Sequence, residues 1–537
     1  MHISPLLFLL LAPLLAIFFI ILLKSQPRLT ALCAAAFNFV LSLVLIFGYV
    51  NANVHGGYAF IMDIPWVTIH GIPPIHFHLA VDGISLPLVL LTGIVTFAAT
   101  AISPGNIRRA SEYYCYLLLM TMGAMGAFIS LDLFFFFIFH DFALIATFLL
   151  IGIWGSHNRQ FVSFQVTIYL MAGSLVLLAG FVALVTALPE HSRTFDIVAL
   201  TQYIVGDGTY AHQAHPLSAG AQAVIFPLML VGFGILVGLF PFHSWAPPGY
   251  ASAPPAAAML HAGILKKFAI YGLIRIAIPL LHTGFQDWLP VIFALLIGNF
   301  LYAGFVTMAQ KELPLMIGFS SIMHMGYLFL GMACWNVIGL TGAVVLMVGH
   351  GLSAALLFGL SGEITTRSGE NRFAELGGLA KRAPMLAVLF SFASMATMGV
   401  PGLANFAGEL LVFFGSFARH APLQPDLPIP IFILFALIAI YGTVITAIFQ
   451  LRAIKYVFYG PMPERYQGPP TAVAATAVLG GAEPETVPST GMSDTKTWEE
   501  HGPYVLLVVA SLVIGFMPFL LINLIEPSVQ LLPFLPK

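Results

Sequence analysis

A few ionisable side chains stand inside long apolar runs, and any chemistry of this chain has to be sought there. Asp141 follows the run LFFFFIFH. His261, Lys266, Lys267 and Arg275 lie along another run, His324 and His350 sit in two more, and Glu409 lies in GVPGLANFAGELL. A charged side chain at the centre of a hydrocarbon layer costs roughly 2.5–3.5 kcal/mol on insertion scales, so such residues are functional by default. The set combines acids, bases and near-neutral titrators, and burial can poise such groups between charged and neutral forms. That is the chemistry of a proton relay. Lys267 and Glu409 carry this reading furthest, because each lies deep among small and apolar residues with no counter-ion nearby in sequence. His324 and His350, taken singly, also fit histidines that pack helices together. Arg275, eight positions beyond Lys267, is expected to snorkel toward the headgroups.

The elements that hold these residues are apolar helices. With 59% hydrophobic and 8% charged residues and a mean hydropathy of +0.97, the chain cannot hide its apolar surface in a water-soluble core. A helix needs about 20 apolar residues to cross roughly 30 Å of hydrocarbon. Runs of that kind recur near 5–23, 29–50, 84–102, 114–131, 133–154, 162–187, 223–243, 254–281, 288–309, 313–335, 338–362, 383–417, 430–457 and 503–525. The expected fold is thus an all-α integral membrane protein of about 14 transmembrane helices. The first run lacks the basic start of a signal peptide and reads as a retained helix.

Basic residues test this count, because cytoplasmic loops collect Lys and Arg. With the amino terminus outside, fourteen of them, from Lys24 to Lys496, face the cytoplasm, and only Arg193, Arg419 and Lys537 face the other side. Both termini are therefore expected to be periplasmic. The seventh and twelfth runs are interrupted, by Pro241 and by Pro401 with Gly402. A proline kink is the plain reading of either alone. Two in corresponding positions suggest broken helices lining an ion path, in two inverted-type repeats. The expected organisation is helices 1–3 in residues 1–110, a first repeat of helices 4–8 in 111–287, a second of helices 9–13 in 288–460, a flexible cytoplasmic loop over 461–502 rich in Ala, Pro, Thr and Gly, and helix 14 in 503–537.

Other functions are poorly served by this sequence. A net charge of −2 offers no basic stripe for nucleic acid. Cys33, Cys115 and Cys334 each stand alone in an apolar run, which excludes a disulfide framework or a cysteine-ligated iron-sulfur cluster. Residues 51–83, with His55, His70, His76 and His78, and residues 189–222 read as polar external loops. The HFH triplet would put two imidazoles on one face of a strand, yet no carboxylate or cysteine cluster accompanies it in sequence, so interfacial polar residues are expected and not a metal site.

The stretches HAGILKKFAIYGLIRIAIPL, FSSIMHMGYLFLG, MVGHGLSAALLFG and GVPGLANFAGELLVFFGSF resemble the M-type antiporter-like membrane subunits of bacterial NADH-quinone oxidoreductase, respiratory complex I. FHLAVDGISLPLVLLTG and LDLFFFFIFHDFALIATFLLIGIWG resemble the amino-terminal part of the same subunits, so the similarity runs over nearly the whole chain. It implies a multi-pass protein of the bacterial inner (plasma) membrane, beside neighbouring antiporter-like chains, with no cofactor of its own. NAD, FMN, iron-sulfur clusters and quinone would belong to partner subunits, whose redox chemistry drives the translocation. Position by position, Lys267 matches the family's central lysine, Glu409 its exit-side glutamate, and His261, His324 and His350 its relay histidines.

The other half departs from the family. The fifth-helix glutamate falls on Asp141, one methylene shorter, and the seventh-helix lysine falls on Leu236. That glutamate and lysine form an ion pair in the family, and at 4 Å and an effective dielectric of 20 two unit charges interact by roughly 4 kcal/mol. The turn before the tenth helix is altered too, with Pro314 and Leu315 where the family has basic residues, while Glu312 remains. Three functions stay open: a proton-translocating subunit in which His140, His243 or Lys266 and water replace the missing lysine; a coupling subunit without a complete channel; or a subunit of a multisubunit cation/proton antiporter or membrane-bound hydrogenase.

Overall fold

Backbone in hydrocarbon finds no water to bond, so apolar runs of this length close their hydrogen bonds internally as helices. The computed structural model describes residues 4–23, 26–52, 54–69, 73–156, 158–206, 216–419, 430–466 and 498–535. Most of the expected loop over 461–502, and with it Lys496, lies outside the described residues, as do Lys24, His70 and Lys537.

The helices are α1 (Leu6–Leu23), α2 (Pro27–Ala52), α3 (Ser85–Ile102), α4 (Ala110–Ile129), α5 (Leu133–Trp154), α6 (Arg159–Thr186), α7 (Ile197–Val205), α8 (Ala219–Val237), α9 (Ala246–Ser252), α10 (Pro255–Leu260), α11 (Lys267–Gly272), α12 (Ile278–Leu280), α13 (His282–Ile297), α14 (Ala303–Ala309), α15 (Leu313–Cys334), α16 (Val337–Ser368), α17 (Pro384–Thr397), α18 (Ala404–Ala418), α19 (Ile431–Ile454), α20 (Trp498–Phe516) and α21 (Phe519–Gln530). Four π-helical turns interrupt or extend them, at His261–Leu265, Leu273–Ala277, Gly298–Tyr302 and Lys455–Tyr459. Among the described residues ten helices are long and apolar enough to cross a membrane, and the pair α20 and α21, bent by 69°, makes an eleventh. α1, α17 and α18 are apolar but shorter.

Both expected breaks are present. α8 ends at Gly238, and the chain turns through Pro241 before α9 resumes at Ala246. α17 stops at Thr397 and α18 begins at Ala404. The single span expected over 503–525 is instead bent between α20 and α21, where Pro518 enters the chain.

α16 is the axis of the fold. All of its most apolar window is buried, and α15 and α18 pack along it. The approach to α18 is close enough that a Cβ at Gly408 would fall 2.6 Å from the Leu346 Cβ, so glycine is required there.

The segment 51–83, expected as a polar external loop, carries two antiparallel strands among its described residues, β1 (Ala59–Val67) and β2 (Ile75–Val81). Its sequence alternates, and Phe77 packs on Phe135 of α5 at 4.9 Å between ring centres. His76 lies 2.7 Å from Asp63 of the facing strand, and folding brings His78 the carboxylate of Asp196, 118 positions away. α7 arises inside the other expected loop, with Ile197, Leu200 and Ile204 as its buried face.

Arg275 corrects a second expectation. It does not snorkel outward but is buried, donating to Asp82 and, at 3.2 Å, to the Tyr58 hydroxyl. Asp82 also accepts from the backbone N–H of Ile84 and Ser85 at the start of α3, so one carboxylate joins α3, the hairpin approach and a π turn. A buried guanidinium with a carboxylate in reach pairs with it in preference to crossing the bundle to water.

Candidate functional site

The segment around the two lysines begins at Pro254 and Pro255, where proline suits a helix start, and widens into the π turn His261–Leu265. Such turns add a residue to the helix and often mark functional positions. Adjacent helical residues point about 100° apart, and the lysines accordingly diverge. Lys266 Nζ donates to Ser321 Oγ of α15 at 3.1 Å, whereas Lys267 Nζ donates back to the Ala262 carbonyl of its own segment at 2.7 Å.

From Lys266 a polar line crosses the core. Ser321 Oγ lies 3.0 Å from His350 Nε2 of α16. The His350 ring stacks parallel to that of His324, with centres 5.2 Å apart. His324 Nδ1 faces the Ser320 carbonyl at 2.8 Å, and Nε2 faces the Thr397 carbonyl at 3.1 Å. A neutral imidazole has one N–H and can bond only one of these carbonyls, while the doubly protonated ring bonds both. The state of His324 therefore governs a hydrogen bond to the last residue of α17, where the break begins.

Glu409 lies under that break. Gly399, at φ +70, presses against its carboxylate so closely that a Cβ there would meet Oε2 at 2.4 Å, and a side chain would be strained as well as crowded. Glu409 is buried, and among the described residues no hydrogen bond or ion pair reaches its carboxylate. One turn earlier, Asn405 accepts from Ser353 Oγ at 3.3 Å.

The other side of the molecule is less connected. His261 stacks on Trp245 with centres 5.5 Å apart and meets the edge of Tyr250 at 5.3 Å; the Lys266 ammonium lies 5.4 Å from the same tyrosine ring. His140 is buried and stacks on Phe268 at 4.0 Å. His243 sits in the α8–α9 break between Phe240 and Tyr302, at 5.6 and 5.3 Å. Asp141 departs from the buried position expected of it: its side chain is 36% exposed, accepting from Ser174 Oγ at 3.1 Å with His140 Nδ1 at 3.5 Å. The reason is the face of α5 it occupies, which Phe142 and Ile145 share as exposed residues. Leu236 is buried in α8.

The fold thus brings Lys266, His324 and His350 into one line, with Glu409 beside its end, and leaves Asp141, His140 and His243 apart from it. Sequence reasoning missed Ser321, which links Lys266 to His350. Its signal was its position three residues before His324 in an otherwise apolar helix, on the same face. It also missed Asp82, which stood in the quoted stretch FHLAVDGISLPLVLLTG but had been counted as part of a loop.

The comparisons with known proteins bear on this arrangement. The sequence profile described as NADH:quinone oxidoreductase/Mrp antiporter, TM matches residues 130–424. NADH-quinone oxidoreductase subunit M of Rhodobacter capsulatus is 30% identical over 505 residues, covering 93% of this chain and 89% of that protein. NAD(P)H-quinone oxidoreductase chain 4 1 of Synechococcus sp. (strain JA-3-3Ab) is 34% identical over 392 residues, or 72% and 71% of the two chains. A chain of respiratory complex I from Thermus thermophilus superposes with a TM-score of 0.79 at 25% identity, over 98% of this chain and 99% of that one. With the family profile spanning more than half of its length, this multi-pass membrane chain belongs to the NADH:quinone oxidoreductase/Mrp antiporter transmembrane family.

Proposed function

We propose that the chain is a proton-translocating, antiporter-like subunit of the membrane arm of a bacterial NADH-quinone oxidoreductase. The observation that carries this reading is the line Lys266, Ser321, His350 and His324 ending beside Glu409 in the break between α17 and α18. A hydroxyl between an ammonium and an imidazole can pass a proton on by taking one from Lys266 Nζ while giving its own to His350 Nε2. The parallel imidazoles continue the path, and His324 couples it to the Thr397 carbonyl. Lys267 adds a second buried amine beside Lys266, and His261 with its aromatic neighbours closes the opposite side of the pair. Asp141, with His140, receives the influence of a neighbouring subunit at the exposed face of α5, and His243 and water serve the α8–α9 break in place of a lysine.

The same proposal includes the finer organisation: fourteen spans with both termini periplasmic in the inner membrane, and two inverted repeats over 111–287 and 288–460, each with one broken helix. Residues 1–110 and 503–537 flank them, and 461–502 forms a cytoplasmic loop. NAD, FMN, iron-sulfur clusters and quinone belong to partner subunits, so this chain performs no redox step and acts as the translocating part of the enzyme. In the assembled, reconstituted complex, Lys267→Ala and Glu409→Gln are expected to lower the proton-to-electron ratio with assembly preserved. An unchanged ratio in both variants refutes the reading.

Leu236 favours a second reading, a coupling subunit whose channel is incomplete, because an apolar residue occupies the family's lysine position. Unchanged ratios with normal turnover support it. Service in a related cation/proton antiporter or membrane-bound hydrogenase is distinguished by gene neighbourhood, since only complex I brings genes for NADH-binding and quinone-site subunits.

A further inference from the structure

Lys267 stands beside the relay without joining it: among the described residues its Nζ has one hydrogen bond, to the Ala262 carbonyl at 2.7 Å. That carbonyl has a particular place in the chain. Four residues on is Lys266, whose backbone N–H would bond Ala262 in an α-helix. It reaches instead to His261, five residues back, at 3.3 Å, and so closes the π turn His261–Leu265. The Lys267 amine thus occupies the acceptor that the α-helical alternative needs. Ala262 is fully buried, and a buried carbonyl takes a donor that the protein supplies.

Which donor takes it decides which residue faces Ser321. Both ends of the segment are held. His261 stacks on Trp245, and Gly263 lies so near α16 that a Cβ there would meet the Gly351 carbonyl at 3.0 Å. At the far end Arg275, in the second π turn, bonds Asp82. With its ends fixed, the segment can close the first π turn only by passing the extra residue along toward the second. Each residue between them then advances by one helical position, about 100°. Leu265 comes to the place of Lys266, and Lys266 leaves Ser321 for the place of Lys267.

We infer that Lys267 is a positioning residue: by holding the Ala262 carbonyl it keeps the π turn open, and the open turn keeps Lys266 Nζ on Ser321 Oγ. Its part in transfer passes through Lys266 and not through a proton of its own. The inference rests on the relay from Lys266 through Ser321 to His350. Other contacts belong to the same register: Phe268 stacks on Phe136 at 4.3 Å and on His140 at 4.0 Å, and Tyr271 donates to the Phe128 carbonyl at 3.3 Å. If these alone fixed the register, Lys267 would be dispensable to the placing of Lys266, and the test separates the two cases.

Lys267→Met keeps the long side chain and removes the donor. In the assembled, reconstituted complex it is expected to lower the proton-to-electron ratio, as Ser321→Ala does. Deleting Ala262 from the same chain makes the bond from Lys266 to His261 an ordinary four-residue one, so Lys266 faces Ser321 without help from Lys267. The shortened Lys267→Met chain is therefore expected to regain the ratio. If it does not, while the chain shortened with Lys267 in place pumps normally, Lys267 acts in its own right and the inference is overturned. An unchanged ratio in Lys267→Met overturns it too, whereas a normal ratio in Ser321→Ala sinks the relay itself. Should the shortened chain fail to assemble or to pump with Lys267 present, electron cryomicroscopy of the Lys267→Met complex decides. A continuous α-helix through residues 261–265 with Leu265 toward Ser321 is expected, and a retained π turn with Lys266 on Ser321 overturns the inference.

Discussion

Replacing Ser321 by alanine tests the relay at its narrowest point. The hydroxyl bridges Lys266 Nζ, at 3.1 Å, and His350 Nε2, at 3.0 Å. Alanine removes both contacts while changing little else, since Ser321 is buried in a helix where alanine is a good helix former. A hydrogen bond to a charged group contributes about 1.5–3 kcal/mol. If that stabilisation is present during transfer, its loss slows the step between Lys266 and His350 by roughly 10- to 150-fold, at about 1.36 kcal/mol per factor of ten. The assay is NADH-driven proton uptake together with NADH:quinone turnover in the reconstituted complex. Ser321→Ala is expected to lower the proton-to-electron ratio, and Ser321→Thr, which keeps the hydroxyl, to retain it. Combining Ser321→Ala with Lys266→Met should add little to either single change, because both cut the same link. A normal ratio in Ser321→Ala, or additive losses in the double variant, refutes the wiring through Lys266.

Three further outcomes follow from other parts of the structure. Arg275→Leu leaves Asp82 buried without its partner and is expected to destabilise by about 3–5 kcal/mol, while adding Asp82→Asn should recover much of the loss; thermal unfolding of the purified complex checks this, and equal damage in both variants argues against the pair. Leu236→Lys is expected to shift the pH dependence of turnover if Asp141 is the remaining half of the family's ion pair, and an unshifted profile argues that intake runs elsewhere. At the hairpin, burial pushes Asp132 up to about 6, so ionising it between about pH 4 and 6 weakens the junction. Burial tends to lower His78, but its bond to Asp196 and nearby acidic charges outweigh this and raise it, so its contribution is full below about pH 6.5 and lost as the pH rises through the higher folded value. Both signs agree, and Trp66, whose ring lies tilted 5.4 Å from Phe134 and edge-on 5.3 Å from Phe135 of α5, is expected to shift its emission to the red between pH 5 and 8; constant emission refutes the coupling.

Much of this protein was legible in its sequence, because hydrocarbon allows few solutions. Apolar runs had to become helices, the prolines at 241 and 401 had to interrupt them, and Glu409, His324 and His350 stood out as ionisable groups in surroundings that resist charge. The family resemblance added the matches of Lys267 to the family's central lysine and of Glu409 to its exit-side glutamate, and the departure at Leu236. What the sequence left open depended on direction and on distance along the chain. A π turn decides that Lys266, and not Lys267, reaches Ser321, since one added residue rotates everything beyond it. The exposure of Asp141 follows from which face of α5 its neighbours cover. Asp82 and Arg275 meet across 193 positions, and His324 meets the Thr397 carbonyl across 73. Local pattern records what each segment can bury; which polar groups then meet is settled by packing, since a buried charge or hydroxyl takes the partner the fold brings within reach.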